Sequence, residues 1–262
     1  MTHSMSKMPV LFFGHGNPMN ALSQNSYSEG WLHIGKSIPK PKAVLSISAH
    51  WYIQGTAVTA MERPRTIHDF GGFPRALFEV QYPAPGDPQL AVQLRELLKP
   101  LNVELDRSWG LDHGTWSVLI HTFPKADVPV VQLSIDKTKP PAFHYEIGKR
   151  LAPLRDEQIL IIGSGNLVHN LHAYAWGLRR VEPYDWAMRF EEQARSLLLS
   201  ADDGPLINYE TLGRDAALSI PTPDHYLPLL YVIALRREGE PLSFPVEGID
   251  GGSVSMLTAQ IG

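Results

Sequence analysis

Cysteine is absent from this chain of 262 residues, which excludes disulfides and thiolate metal sites and leaves histidine and carboxylate as the strong metal donors. Long apolar runs are absent too. The amino-terminal stretch "MTHSMSKMPVLFFGHG" holds one short apolar segment closed by glycines, so it reads as a first strand rather than a signal peptide or membrane span. The expectation is a cytoplasmic protein with no membrane partner. Excess positive charge is also lacking. Lys and Arg number 23 against 27 Asp and Glu, for a net charge of -4, and the pairs at Arg179 and Arg236 read as solvated charges. That balance excludes the electrostatic footprint of a nucleic-acid-binding protein. Neither an H-E-x-x-H pattern nor a G-x-x-x-x-G-K-S loop occurs, so the common zinc-protease and phosphate-loop chemistries lose support. "GSGN" at Gly163 and "GHGNP" are too short to be dinucleotide fingerprints.

Hydrophobic residues make up 44% of the chain, enough to bury a full core, and no linker or repeat divides it. We therefore read 1–262 as one domain. The runs "VLFFG", "AVLSIS", "TAVTAM", "PVVQLSI" and "QILIIGSG" are continuously apolar, as expected of strands covered on both faces. Helix-period segments lie among them: "PQLAVQLRELLKPL", "FHYEIGKRLAPLRD", "YDWAMRFEEQARSLLLSA" and "HYLPLLYVIALRRE". The alternation implies an α/β sandwich with a central, mostly parallel or mixed sheet and helices on both faces. "PLSFPVEGIDGGSVSMLTAQ" reads as a terminal hairpin or edge pair turning at Gly251 and Gly252, and "ERPRTIHDFGGFPRALFEVQYPAPGDP" as an ordered functional loop.

Three of the apolar runs end in, or just before, a histidine: His15 in "GHGNP", His50 in "SAHW" and His169 in "GSGNLVHN". In an open α/β sheet, ligands bind beyond the carboxyl ends of the strands, so these imidazoles are expected to converge there. Each alone is as readily a packed loop histidine. His113, before "GTW", and His225, opening an apolar helix with Asp224 or Thr222 as its cap, join the candidate set. His68 in "TIHDFGGFP" is a candidate loop contact to substrate, whereas His3, His33, His121, His144 and His172 read as surface or packing residues. Several histidines at one mouth imply a divalent metal, with Fe(II) and Zn(II) both suited to imidazole.

The segments "GHGNPMNAL", "SAHW", "TIHDFGGFP", "LDHGTWSVL", "GSGNLVHNL" and "TPDHYLPLL", in this order, closely resemble the class III extradiol ring-cleavage dioxygenases, and within them the branch that acts on DOPA. They span Gly14 to Leu230, nearly the whole chain. The resemblance implies a catechol opened by O2 beside, rather than between, its hydroxyl-bearing carbons, giving a hydroxymuconate semialdehyde. It also implies metal ligation by His15 and His50, acid/base work by His169, and a place beside substrate and O2 for His113. His225 stands where protocatechuate-type members carry a glutamate. The resulting all-imidazole set resembles a zinc site more than an iron triad and admits His169 as a fourth ligand. One divalent ion per chain is expected, Fe(II) for oxygenation or Zn(II) as bound.

Trp51, Tyr226, Trp116 and Phe73 are candidates to wall the ring, the last two equally as core residues. Arg65, Arg75 and Asp69 are candidates for the amino and carboxyl groups of DOPA. A zinc hydrolase on the same histidines and a non-enzymatic binding module are the rival readings. With no large exposed apolar stripe on the helices, a monomer or small homo-oligomer is expected.

Overall fold

The protein is described by a computed structural model covering residues 7–178 and 181–262. His3 and the arginine pair at Arg179 lie outside the described residues. The strands are β1 (Val10–Gly14), β2 (Ala43–Ile53), β3 (Thr56–Thr59), β4 (Val103–Asp106), β5 (Val130–Asp136), β6 (Ile159–Gly165), β7 (Leu242–Val246), β8 (Ile249–Asp250), β9 (Val254–Ser255) and β10 (Thr258–Ile261). Eight of them form one sheet in the order β4-β3-β5-β2-β6-β1-β10-β7, and β8 and β9 form a separate hairpin. The centre, β5-β2-β6-β1, is parallel throughout. Antiparallel pairing enters on both sides, at β3 against β5 and through β10 and β7 beyond β1.

The continuous apolar runs divide by period two between two cores. Val10 and Phe12 of β1, with Leu45 and Ile47 of β2, face one; Leu11 and Phe13, with Val44 and Ile162, face the other. The first core is covered by α3 (Pro88–Leu97), α5 (Pro141–Arg150), α6 (Pro153–Asp156), α7 (Asp185–Ser200), α8 (Asp203–Ile207), α9 (Arg214–Ser219) and α10 (Leu227–Ile233). The second lies under α1 (Ser26–Ser37), α2 (Arg75–Phe78) and α4 (His113–Thr122). This is the expected sandwich, with helices on both faces of a mixed sheet.

The expected hairpin at Gly251 and Gly252 is formed by β8 and β9. Two elements have weak sequence patterns. β4, "VELD", is a half-exposed edge strand, and α1, "SYSEGWLHIGKS", buries only Ser28, Trp31 and Ile34. α1 starts instead on a reciprocal cap, with Asn25 accepting from the Ser28 N–H and Ser28 accepting from the Asn25 N–H.

β2 departs most from the sequence reading. It does not stop at "AVLSIS" but runs on to Ile53, so His50 lies inside a strand. Its ladder with β6 ends at Ser48, and its register with β5 jumps between Ile47 and Tyr52. His50 sits in that irregular stretch, where a bulge turns a side chain out of the regular pleat.

Candidate functional site

The carboxyl ends of β1, β2 and β6 converge on a cavity of about 240 Å³ lined by His15, His50, His113, His169 and His225. The chain is shaped to bring them this close. His15 follows β1, and its N–H donates to the Gly165 carbonyl at the end of β6. A β-carbon at Gly165 would lie 2.0 Å from the His225 carbonyl oxygen, so glycine there lets the turn carrying His225 rest on the strand end. A β-carbon at Gly114 would lie 2.6 Å from Ser48 Oγ and 2.9 Å from the His50 ring, which explains the glycine after His113. His113 opens α4, whose first turn is capped by the buried Asp112 accepting from the Thr115 N–H. Asp112 is itself fixed by Ser48 Oγ at 2.6 Å and by the Gln132 side-chain amide at 2.7 Å.

Four of the five imidazoles have Nδ1 engaged from behind. Ser164 donates its own hydroxyl hydrogen to the Gly114 carbonyl, so its oxygen must accept from His15 Nδ1, 3.0 Å away. Asp224 holds His225 Nδ1. Asp69 Oδ2 lies 3.1 Å from His50 Nδ1 and 3.0 Å from His113 Nδ1. That one oxygen meets both rings as a close charge contact, which at His113 is not an aligned hydrogen bond. Carboxylates and a hydroxyl oxygen on Nδ1 fix the proton there and leave Nε2 as the lone-pair nitrogen. His15 Nε2 and His50 Nε2 then face each other at 3.1 Å. Two lone pairs at that distance repel unless a cation lies against them.

Whether a metal fits can be judged from the ring positions. Imidazoles bound tetrahedrally through bonds of roughly 2 Å place their ring centres about 5 Å apart. The His15–His50, His15–His225 and His50–His225 centroids are 5.0, 5.3 and 5.1 Å apart, so this trio fits. The donor atoms of His15, His50 and His113 also cluster, as do those of His169, Asp224 and His225. Yet His50 and His113 centroids are only 3.9 Å apart, and His169 stacks on His225 at 3.5 Å. Both separations are those of rings in contact rather than rings sharing an ion.

Burial, then the charge of neighbouring imidazoles, lowers His15 well below the ordinary histidine value, His113 to about 4 and His169 to about 2. Burial also lowers His225, despite Asp224. His50 is the exception: burial pulls it down, but Asp69 and the charges of Asp112 and Asp224 raise it. Burial would raise Asp69 and Asp224, but their histidine contacts hold both well below the usual carboxylate range.

Other expected site residues lie elsewhere. Trp51 is buried and stacks on Trp109 at 5.7 Å, so its face meets another indole rather than the cavity. Tyr226 is buried, with its hydroxyl donating to the Leu206 carbonyl. His68 Nε2 lies 3.0 Å from the Val80 carbonyl, and its ring packs among Phe70, Phe78 and Trp116. Trp116 is core, donating to the Ile67 carbonyl. Of the four aromatics read as walls, Phe73 lines the cavity, together with Phe70, Leu171, Tyr174 and Trp176, which sequence reasoning did not single out. Arg75 pairs with Glu79 on the surface, and Arg65 donates to the Trp109 carbonyl. Asp69 faces imidazoles rather than solvent, and Asp224 caps no helix but holds His225.

Imidazoles placed so that they could hold a divalent ion, set at the carboxyl end of a parallel sheet core beneath an aromatic-lined cavity, define the class: an α/β enzyme with a histidine cluster at its candidate site. Comparison with known proteins makes the class specific. Residues 4–202 match the family of the catalytic LigB subunit of aromatic ring-opening dioxygenase, and the chain belongs to this family, the class III extradiol dioxygenases. It is 52% identical to the 4,5-DOPA dioxygenase extradiol of Escherichia coli K12, over 99% of this chain and 96% of that one. The Beta vulgaris protein of the same name is 36% identical over 94% of this chain and 93% of its own. The crystal structure of an uncharacterized Escherichia coli K12 protein superposes with a TM-score of 0.86 at 48% identity, covering 98% of this chain and all of that one.

Proposed function

We propose that the chain, as one catalytic domain, opens a catechol ring with O2 beside its hydroxyl-bearing carbons, and that L-DOPA, cleaved at the 4,5 bond, is its substrate. The observation that carries the reading is the triangle of His15, His50 and His225, each with Nδ1 engaged and Nε2 open. The names of the relatives support DOPA as substrate. These three residues would hold one Fe(II), which when bound acts as a Lewis acid toward the catechol oxygens and a partner for O2.

The other groups prepare the substrate. His169, drawn to about 2 by burial and by His225, stands neutral at pH 7. A catecholate arriving beside it pulls the other way, toward the range in which an imidazole accepts a hydroxyl proton and later returns it. His113, its Nδ1 turned to Asp69, presents its other nitrogen to the reacting oxygens. Phe70, Phe73 and Trp176 flank the ring and exclude water from it.

The all-imidazole donor set favours a second reading, a zinc hydrolase using metal-bound hydroxide. The experiment loads metal-free protein with Fe(II) anaerobically, adds L-DOPA, admits air, and follows O2 consumption and yellow product. His169→Ala and zinc-loaded protein run alongside. Iron-dependent uptake, lowered by about 10²- to 10⁴-fold in His169→Ala, is expected. No uptake with any catechol, despite one bound metal per chain, would move the hydrolase to first place.

A further inference from the structure

Asp69 follows His68 in "TIHDFGGFP", in the long loop between β3 and α2, and its carboxylate ties that loop to β2 and α4. Oδ1 accepts the backbone N–H of His113 at 2.9 Å, an amide of the first turn of α4 that has no partner within the helix. Oδ2 lies 3.1 Å from His50 Nδ1 in the irregular stretch of β2 and 3.0 Å from His113 Nδ1. The next residue, Phe70, and Phe73 of the same loop form part of the cavity wall. The His50 and His113 rings, whose centroids are 3.9 Å apart, are thus anchored by one oxygen atom. His15 and His225 have separate anchors, Ser164 and Asp224.

We infer that Asp69 is a positioning residue that orients a metal-holding imidazole, His50, and a substrate-side imidazole, His113, together, supplying from outside the metal's own donors the negative charge that three imidazoles lack. The inference rests on the assignment of His50 as a ligand. A carboxylate on the far nitrogen of a ligating histidine fixes its tautomer and raises its basicity, and losing such a partner costs 10- to 100-fold in metal affinity or activity, as a rough range. Sharing one carboxylate adds a consequence that separate anchors would not have. Moving Asp69 disturbs metal affinity and substrate turnover together, whereas removing His113 disturbs turnover alone.

The test uses Co(II), whose visible absorption reports ligand geometry without turnover, together with Co(II) affinity measured by chelator competition under anaerobic conditions. Asp69→Asn keeps an oxygen for the His113 amide and so preserves the helix start. It is expected to bind Co(II) about 10- to 100-fold more weakly than wild type with a shifted absorption band. His113→Ala is expected to keep wild-type affinity, and the double variant to bind as weakly as Asp69→Asn. Should Asp69→Asn fail to fold, Asp69→Glu takes its place: the charge is kept but displaced by one methylene, and weaker binding is again expected. Wild-type affinity and absorption in the folded variant would overturn the role of Asp69 while leaving the metal centre intact. A wild-type chain that binds no Co(II) would remove the ligand assignment and the role of Asp69 together.

Discussion

The strands that deliver the histidines have a second pole, and it handles buried charge in the opposite way. Before the amino ends of β1 and β6, Arg155 is completely buried: Nε donates to the Met8 carbonyl, Nη1 to the Leu235 carbonyl, and both terminal nitrogens to Glu240. Lys7 and the Arg237 N–H complete the shell of Glu240. Every strong donor and acceptor there has a partner. At the carboxyl pole the imidazoles are buried or half-buried, and four of the five have a partner on Nδ1 only, with the Nε2 atoms of His15 and His50 left facing one another. A closed polar cluster holds a fold together, while one closed behind and open in front can receive a ligand.

The largest expected contrast comes from cutting each pole once. Arg155→Met leaves Glu240 and two carbonyls buried with lost partners and is expected to destabilise the chain by about 3–5 kcal/mol, read from denaturant midpoints, without changing metal bound per folded chain. His50→Ala should do the reverse. Metal affinity falls by more than about 100-fold, beyond the range for outer partners, while the thermal midpoint of the metal-free chain moves by roughly 2–4 °C at most. Equal loss of stability in both variants would mean that the carboxyl pole is also structural.

This contrast marks where the sequence was legible. The five histidines could be found because four of them sit next to the strongest local signals, apolar strands and an apolar helix. Their partners could not: Ser164, Asp69 and Asp224 look like ordinary strand, loop and cap residues, and only the folded register brings Ser164 beneath His15 or Asp69 between His50 and His113. Aromatics misled for the same reason. Trp51 is adjacent to His50 in sequence, but alternation along a strand sends neighbours to opposite faces, and the indole meets Trp109. Trp176, far from every motif but His169, lines the cavity instead.

The two poles should also separate on a pH axis. In metal-free protein, His15, His113, His169 and His225 are lowered mainly by burial, so the unfolded chain takes up protons first. Stability is therefore complete above the ordinary value of 6.5 and is lost as pH falls toward about 4, where His113 titrates in the folded state. His50, raised, partly opposes this loss. Burial alone would raise Glu240, but its bonds to Arg155, Lys7 and Arg237 lower it to about 2, so its contribution is complete above 4.5 and is lost between 4.5 and 2. Denaturant midpoints across pH should show two acid limbs, the upper reduced in His113→Ala and the lower in Glu240→Gln. A profile flat from 6.5 to 4 would contradict the burial of neutral imidazoles.

The smallest expected effect belongs to neither pole and fixes the scale for both. Arg75, at the start of α2, is the arginine that a DOPA carboxylate would seek, but its side chain is 91% exposed, pairs with Glu79 at 2.7 Å, and is not part of the cavity wall. An exposed pair of this kind contributes only about 0.3–0.5 kcal/mol, because water screens the charges and two long side chains lose freedom in forming it. Arg75→Ala should therefore shift stability by no more than that and leave KM unchanged for both L-DOPA and 4-methylcatechol, which lacks the amino-acid group. A KM that rises for L-DOPA alone would mean that the loop swings Arg75 onto the substrate, extending the open pole outward to a residue that is otherwise ordinary surface. Equal KM values would confine recognition to the imidazoles and the aromatic wall.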